Sequence, residues 1–172
     1  MSKAASFPLN YKTRIRILAH LPGMRYIEVP GAIVTKAGGG FRIRLLCTLN
    51  GLMTFQCGIV ALGNGSGYIS LNQKRMKALK LKDGDMVQVS LNPDSSRYGM
   101  EVPEELKELF RQDKEGKKRF DLLSPGKRRY ILFYIGSVKS EQKRIERSIL
   151  IIENIKKLPV GKESFRGMLG ID

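Results

Sequence analysis

The sequence predicts a mainly β fold with a helical C-terminal part: a small six-stranded β-barrel followed by a module of three to four helices. Three observations predict it. Up to about residue 100 apolar and polar residues alternate with period two. Beyond it they recur every three to four positions, and the strand-like runs are short and bounded by Gly, Pro, Asn or Asp. The 172 residues (19.4 kDa) accommodate two small units in tandem. Boundaries fall at 8–100 for the barrel, 101–160 for the helical module and 161–172 for a C-terminal tail.

Residues 12–18 set Lys12, Arg14 and Arg16 against Thr13, Ile15 and Ile17, and residues 41–49 set Arg42 and Arg44 against Ile43, Leu45 and Cys47. Each reads as a strand with one wet face. The runs 25–29, 53–62, 68–71 and 86–91 are rich in β-branched or aromatic residues and complete the six. A helix over 72–80 interrupts them, with Asn72 as cap and Met76 and Leu79 on one face. Around Asn50-Gly51 the register must put the apolar sets of both strands on one side. A three-residue loop, Leu49-Asn50-Gly51, does so by pairing Thr48 with Leu52 and giving Gly51 the left-handed position of a type I turn plus bulge. Cys47 then faces Met53, and Cys57 lies four residues further along, more than about 10 Å away at ~3.3 Å per residue. Both cysteines read as small core hydrophobes.

Val102-Pro103-Glu104-Glu105 starts a helix, with proline in the first turn and acids at the positive end of the dipole, and Ser124-Pro125 repeats the signal. The next helix carries Tyr130, Ile131, Phe133, Tyr134, Ile135 and Val138 and breaks over 136–140. The last, over 141–158, places Ile145, Ile149, Ile152 and Ile155 as its core stripe. The tail after Pro159 frays unless Phe165, Met168 and Leu169 dock.

Two segments resemble known families. Residues 43–93, with Leu49-Asn50-Gly51 and Leu81-Lys82-Asp83-Gly84-Asp85-Met86-Val87-Gln88-Val89, resemble a bacterial barrel domain of unknown function whose strands are similar to the double-split barrel. Residues 120–157 carry Leu123-Ser124-Pro125-Gly126-Lys127-Arg128-Arg129-Tyr130 and Lys139-Ser140-Glu141-Gln142-Lys143-Arg144-Ile145, and are similar to the helical module of the bacteriocin-protection, porin-associated family. That family's motif reads Glu-Thr-Arg where this chain has Glu141-Gln142-Lys143. The resemblance implies a double-split-like barrel fused to that module, in a cytoplasmic bacterial protein with a stress or envelope role and no established catalytic activity.

Composition narrows the function further. No stretch approaches the ~18–20 apolar residues of a spanning helix, and the N-terminus lacks a secretory apolar segment, so a cytoplasmic setting is expected. Two cysteines without a Cys-x-x-Cys pair, and His20 as the one histidine, leave no basis for a metal site, and no cofactor is expected. Gly63-Asn64-Gly65-Ser66-Gly67 precedes a strand and so reads as a hairpin connection, not a phosphate loop; Gly38-Gly39-Gly40 reads as a loop. His20, a conceivable general base, precedes Leu21-Pro22-Gly23 in a loop.

The net charge of +15 is uneven: 14 basic residues against 4 acidic ones up to residue 100, and 17 against 12 after it. Arg14, Arg16, Arg42 and Arg44 form a four-arginine patch if their strands are neighbours. Lys74, Arg75, Lys77, Lys80 and Lys82 add a cluster on and after the barrel helix. Lys127, Arg128, Arg129, Lys139, Lys143, Arg144 and Arg147 converge if the last two helices form a hairpin, with Tyr130 and Tyr134 available for stacking. The leading expectation is a non-enzymatic binding or stress/bacteriocin-protection adaptor whose partner is a protein or an anionic polymer. A nucleic-acid or polyanion-binding module is the alternative, and an enzyme using His20 the third reading. The sequence is silent on oligomeric state.

Overall fold

A nine-residue strand, β1 (Leu9–Ile17), is the spine of the N-terminal unit. Its first part pairs antiparallel with β7 (Met86–Pro93), from Leu9↔Leu91 to Arg14↔Met86, and its last three residues pair with β2 (Arg25–Val29). β7 also pairs with β3 (Leu45–Leu49), which pairs with β4 (Met53–Cys57), and β2 pairs with β6 (Gly67–Leu71), which pairs with β5 (Val60–Ala61). The computed structural model describes residues 6–171, and the chain divides into two compact units between Ser95 and Ser96. Residues 1–5, read above for a secretory segment, and Asp172 of the tail lie outside the described residues.

The sheet among the described residues has seven strands in the order β4-β3-β7-β1-β2-β6-β5. β4 and β5 end that order without pairing with each other, so the sheet is a curled, open half-barrel, and the closed six-stranded barrel is corrected. The extra strand arises because the run 53–62 breaks at Gly58-Ile59. The chain there leaves one edge of the sheet for the other and buries Ile59. β5 approaches β6 closely at Gly67, where a Cβ would lie 2.3 Å from the Ile59 side chain and 2.9 Å from the Val60 carbonyl. The 41–49 run is a strand only from Leu45 onward.

Alternate residues of every long strand feed one core, among them Leu9, Ile15, Ile27, Val29, Leu45, Cys47, Leu49, Ile69, Leu71, Val87, Val89 and Leu91. A short helix, α1 (Gly31–Lys36), adds Val34 to it; no signal in the sequence reading marked this element. α2 (Gln73–Ala78) adds Met76, and Asn72 caps it by accepting from the Arg75 N–H at 2.8 Å, as the spacing predicts.

The β3–β4 hairpin keeps the predicted faces but slips by two residues: Leu49 pairs with Met53, Thr48 with Thr54 and Cys47 with Phe55. Asn50 (φ 51°) and Gly51 (φ 66°) both occupy the left-handed region, as a type I′ turn requires, and the Leu52 N–H closes it onto the Leu49 carbonyl at 2.9 Å. Leu52, 78% exposed, is the extra residue that restores the facing. Asn50 is held there by β7, through its N–H to the Gln88 carbonyl (2.8 Å) and its Oδ1 from the Gln88 N–H (2.9 Å). The slip also corrects the cysteine geometry. Cys57 pairs with Leu45 and is therefore a diagonal neighbour of Cys47, whose thiol is pushed up by its hydrogen bond with Cys57 and by burial. Both thiols are free and pack in or against the core.

Four helices of the described residues lie within the module predicted over 101–160, α3 (Glu104–Gln112), α4 (Lys114–Leu122), α5 (Pro125–Gly136) and α6 (Glu141–Lys157), and a fifth, α7 (Phe165–Leu169), forms in the tail. Asp113 ends α3 and caps α4, accepting from the Gly116 N–H at 2.7 Å, and the tail docks through the buried Met168. α4 and α6 pack so closely at Gly116 that a Cβ there would lie 2.3 Å from the Ile152 side chain. The buried stripe of α6 is Ser148, Ile151, Ile152 and Ile155. Ile149 is 48% exposed, so the predicted stripe is rotated. Leu106, Phe110, Phe120, Leu123, Ile131, Leu132 and Ile135 complete this second core. No helix of the described residues is long and apolar enough to cross a membrane.

Candidate functional site

The outer face of β1 presents Lys12, Arg14 and Arg16 at alternate positions, all exposed. Arg14 Nη1 donates to the Gly84 carbonyl at 2.9 Å, and Arg16 lies 3.6 Å from the Glu28 carboxylate. The same end of the sheet carries the turn at residues 82–85, to which Arg25 is fixed by a two-pronged contact with Asp83 (Nε–Oδ1 2.6 Å, Nη2–Oδ2 3.1 Å). Asp85 turns inward on its own loop and accepts from the Lys82 N–H at 2.8 Å. Glu28, Asp83 and Asp85 are thus engaged. Among the described residues no ion pair involves Lys12, Lys77, Lys80 or Lys82, and all four are exposed. Arg25, Lys77, Lys80 and Lys82 surround an open groove of about 400 Å³ floored by Met76 and Leu81. Lys80, just beyond α2, occupies the left-handed region (φ 53°).

The four-arginine patch does not form, because β7 sits between β1 and β3. Arg14 is opposite Met86 at one end of β7, whereas the Arg44 carbonyl accepts from the Asp94 N–H beyond the other end. Eight residues of strand, roughly 26 Å at ~3.3 Å each, separate the two positions. Arg42 and Arg44 also precede β3 instead of alternating along it. Lys74 is exposed on α2, but Arg75 folds inward with its guanidinium carbon 3.9 Å above the Phe55 ring, and burial lowers its pKa.

The basic residues of the helical unit divide differently. Lys139 and Lys143 have exposed side chains. Arg144 is bound within the unit, to Glu105 (2.8 Å) and to the Val138 and Lys139 carbonyls (3.0 and 2.7 Å) of the loop between α5 and α6. Arg147 donates to the Tyr134 carbonyl at 2.6 Å and lies 4.0 Å over the Tyr134 ring. Arg128 lies over Tyr98 and donates to the Asp121 carbonyl. Arg119 Nη2 donates to the Leu158 carbonyl at 2.6 Å at the end of α6, beside the buried Glu163. The tyrosines expected to stack are engaged as well: Tyr130 packs on Phe165 at 4.6 Å, and Tyr134 carries Arg147. Asp121 accepts from the Tyr98 hydroxyl at 2.6 Å; burial and that contact push the phenol up to about 12.

His20 is exposed in the turn between β1 and β2, and among the described residues no carboxylate is hydrogen-bonded to it. No group of three or more His, Cys, Asp or Glu among the described residues is arranged to hold a metal ion.

Three residues of the cationic end escaped the sequence reading as site residues. Arg25 reads as an ordinary strand start, and only its contact with Asp83 ties it to the lysine groove. Tyr26 and Tyr68 lie on the outer face, with ring centroids 5.5 Å apart edge to face, and Tyr26 is register partner of both Arg16 and Ser70. Their alternation with Ile27 and Ile69 was the available signal. Residues 12–91, within the β unit, match the model of a family described as a domain of unknown function (DUF1905). Residues 99–157, within the helical unit, match that of the bacteriocin-protection, YdeI or OmpD-associated family. Both resemblances carried by the motifs are found, in the expected order. No curated protein matches the chain.

Proposed function

We propose that this chain, a DUF1905 unit joined to a bacteriocin-protection module, is a non-enzymatic binding protein that holds an anionic polymer at the cationic end of its β unit. One observation carries the reading: Lys77, Lys80 and Lys82 stand around an open groove without carboxylate partners, while the three acids of that end are engaged by Arg16, Arg25 and the 82–85 turn itself. Exposed lysines on such a groove attract phosphate or sulfate groups and release counterions on contact. The family description of residues 99–157 supports a part in bacteriocin protection; a cytoplasmic setting belongs to the proposal.

The test is anisotropy of a labelled polyphosphate or heparin chain with the full protein. Affinity falls steeply between about 50 and 200 mM salt, and Lys77→Glu/Lys80→Glu/Lys82→Glu weakens it by at least about tenfold. Absence of binding at low salt, or a triple variant that binds like the native protein, overturns the reading.

A protein partner is the second reading. It is favoured by a groove of about 450 Å³ between α3 and α6, where Leu109, Ile145 and the exposed Ile149 are rimmed by Glu104, Glu108 and Glu141. Cross-linking from a cysteine placed at position 149 to a single partner in cells would favour it over the polymer.

A further inference from the structure

We infer that the outer face of the β unit binds single-stranded nucleic acid, with Tyr26 and Tyr68 as the stacking platform and Lys12, Arg14 and Arg16 along the phosphates. This rests on the anionic-polymer reading and names the polymer.

Strand alternation turns Ile27 and Ile69 into the core and leaves Tyr26, Tyr68 and Ser70 on the opposite face, the face that also carries Lys12, Arg14 and Arg16. The register places Arg16 beside Tyr26 on β1–β2, and Tyr26 beside Ser70 on β2–β6. Tyr68 pairs with Glu28, so the two rings meet diagonally at 5.5 Å and 65°. Each ring is half-buried, braced by the other and by the sheet. The first cations are one strand away, about 5 Å, from the ring they flank. Such an arrangement, aromatic rings on a sheet beside a row of cations, recognises two things together: the π-face of a base and the charge of its phosphate. A duplex buries its base faces in its own stack, so this combination selects a strand whose bases are free. Polyphosphate and heparin offer charge without a base, and for them the tyrosines are irrelevant.

The experiment measures, with the full chain at one salt concentration, affinity for a labelled single-stranded oligonucleotide, a duplex of equal length and polyphosphate. The single strand binds at least about tenfold more tightly than the duplex, and Tyr26→Leu/Tyr68→Leu weakens the single strand by about tenfold or more while leaving polyphosphate unchanged. Tyr26→Phe/Tyr68→Phe, which keeps the rings, retains the affinity. Equal binding of duplex and single strand, or an unaffected leucine variant, overturns the inference. If the single strand is not bound but polyphosphate is, this inference fails alone; if neither binds, the anionic-polymer reading fails with it. Ultraviolet cross-linking of the oligonucleotide to the native protein is independent of any variant's folding. Adducts map to the peptides holding Tyr26 and Tyr68, and adducts confined to other peptides overturn the inference.

Discussion

The two units carry arginines and lysines in similar number but employ them differently. In the β unit Lys12, Lys77, Lys80 and Lys82 are exposed and outside any ion pair among the described residues. In the helical unit the guanidinium groups of Arg119 and Arg147 lie against carbonyls that end α6 and α5, and that of Arg144 against the Val138 and Lys139 carbonyls of the loop between them. The cause is architectural. Antiparallel strands satisfy their backbone groups from one another, so outer-face side chains find backbone to serve only at turns, as Arg14 does at Gly84. Helices end with unpaired carbonyls, and a planar, five-donor guanidinium is well shaped to reach several of them. A count of charges therefore measures what a surface could bind only after the charges occupied by the fold have been subtracted.

Substitutions can break that comparison. The largest effect is expected for Arg119→Met, which strips the Leu158 carbonyl and the 2%-exposed Glu163 carboxylate of a partner. Urea unfolding should show the helical unit losing about 3 kcal/mol, with polyanion affinity unchanged. Arg144→Leu, which removes one partner of Glu105 and of two carbonyls, is expected to cost about 2 kcal/mol in the same measurement. Lys77→Gln/Lys80→Gln/Lys82→Gln should do the reverse. Stability stays within about 0.5 kcal/mol, while the slope of log affinity against log salt flattens by about 0.7 for each phosphate that is no longer neutralised.

Acid sharpens the contrast. The hydrogen bond from Lys156, then the Gly116 N–H, hold the Asp113 carboxyl below its ordinary range; the Glu105 carboxyl is lowered by its own backbone N–H and by Arg144. Folded values below the unfolded ones contribute stability above the unfolded carboxylate pKa, near 4, and lose it as pH falls through the lowered values. The far-UV helical signal should accordingly decline below about pH 4, and Asp113→Asn should make part of that loss independent of pH. The smallest effect belongs to Arg44→Glu: about 26 Å of strand between it and Arg14 exceeds the ~10 Å screening length, so polyanion affinity measured at 0.1 M salt should change less than about twofold.

Period two and period 3.6 located the two units, and Asn72 was legible as a cap because a local hydrogen bond decides it. Pairing order was not legible. Whether Arg14 neighbours Arg42 depends on β7 inserting between their segments, a contact between residues far apart in sequence that no local pattern records. The hairpin shows the boundary well: facing was recoverable from the apolar alternation, but the two-residue slip depends on Asn50 bonding to Gln88 of a third strand. Likewise Arg25, Tyr26 and Tyr68 looked like strand residues, and joined the site only through their partners across the sheet.

The insertion of β7 bears on how the protein is made. β1 and β3 emerge from the ribosome early and present backbone edges that stay open until residues 86–93 arrive to fill the gap between them. The helical unit also gathers on a late element, α6, on which α3, α4 and α5 pack, but each helix satisfies its own backbone meanwhile, whereas the sheet waits for its last strand to occupy its middle. A nascent chain stalled before residue 86 would hold two unclosed edges and a row of Val, Ile and Leu in reach of any passing strand.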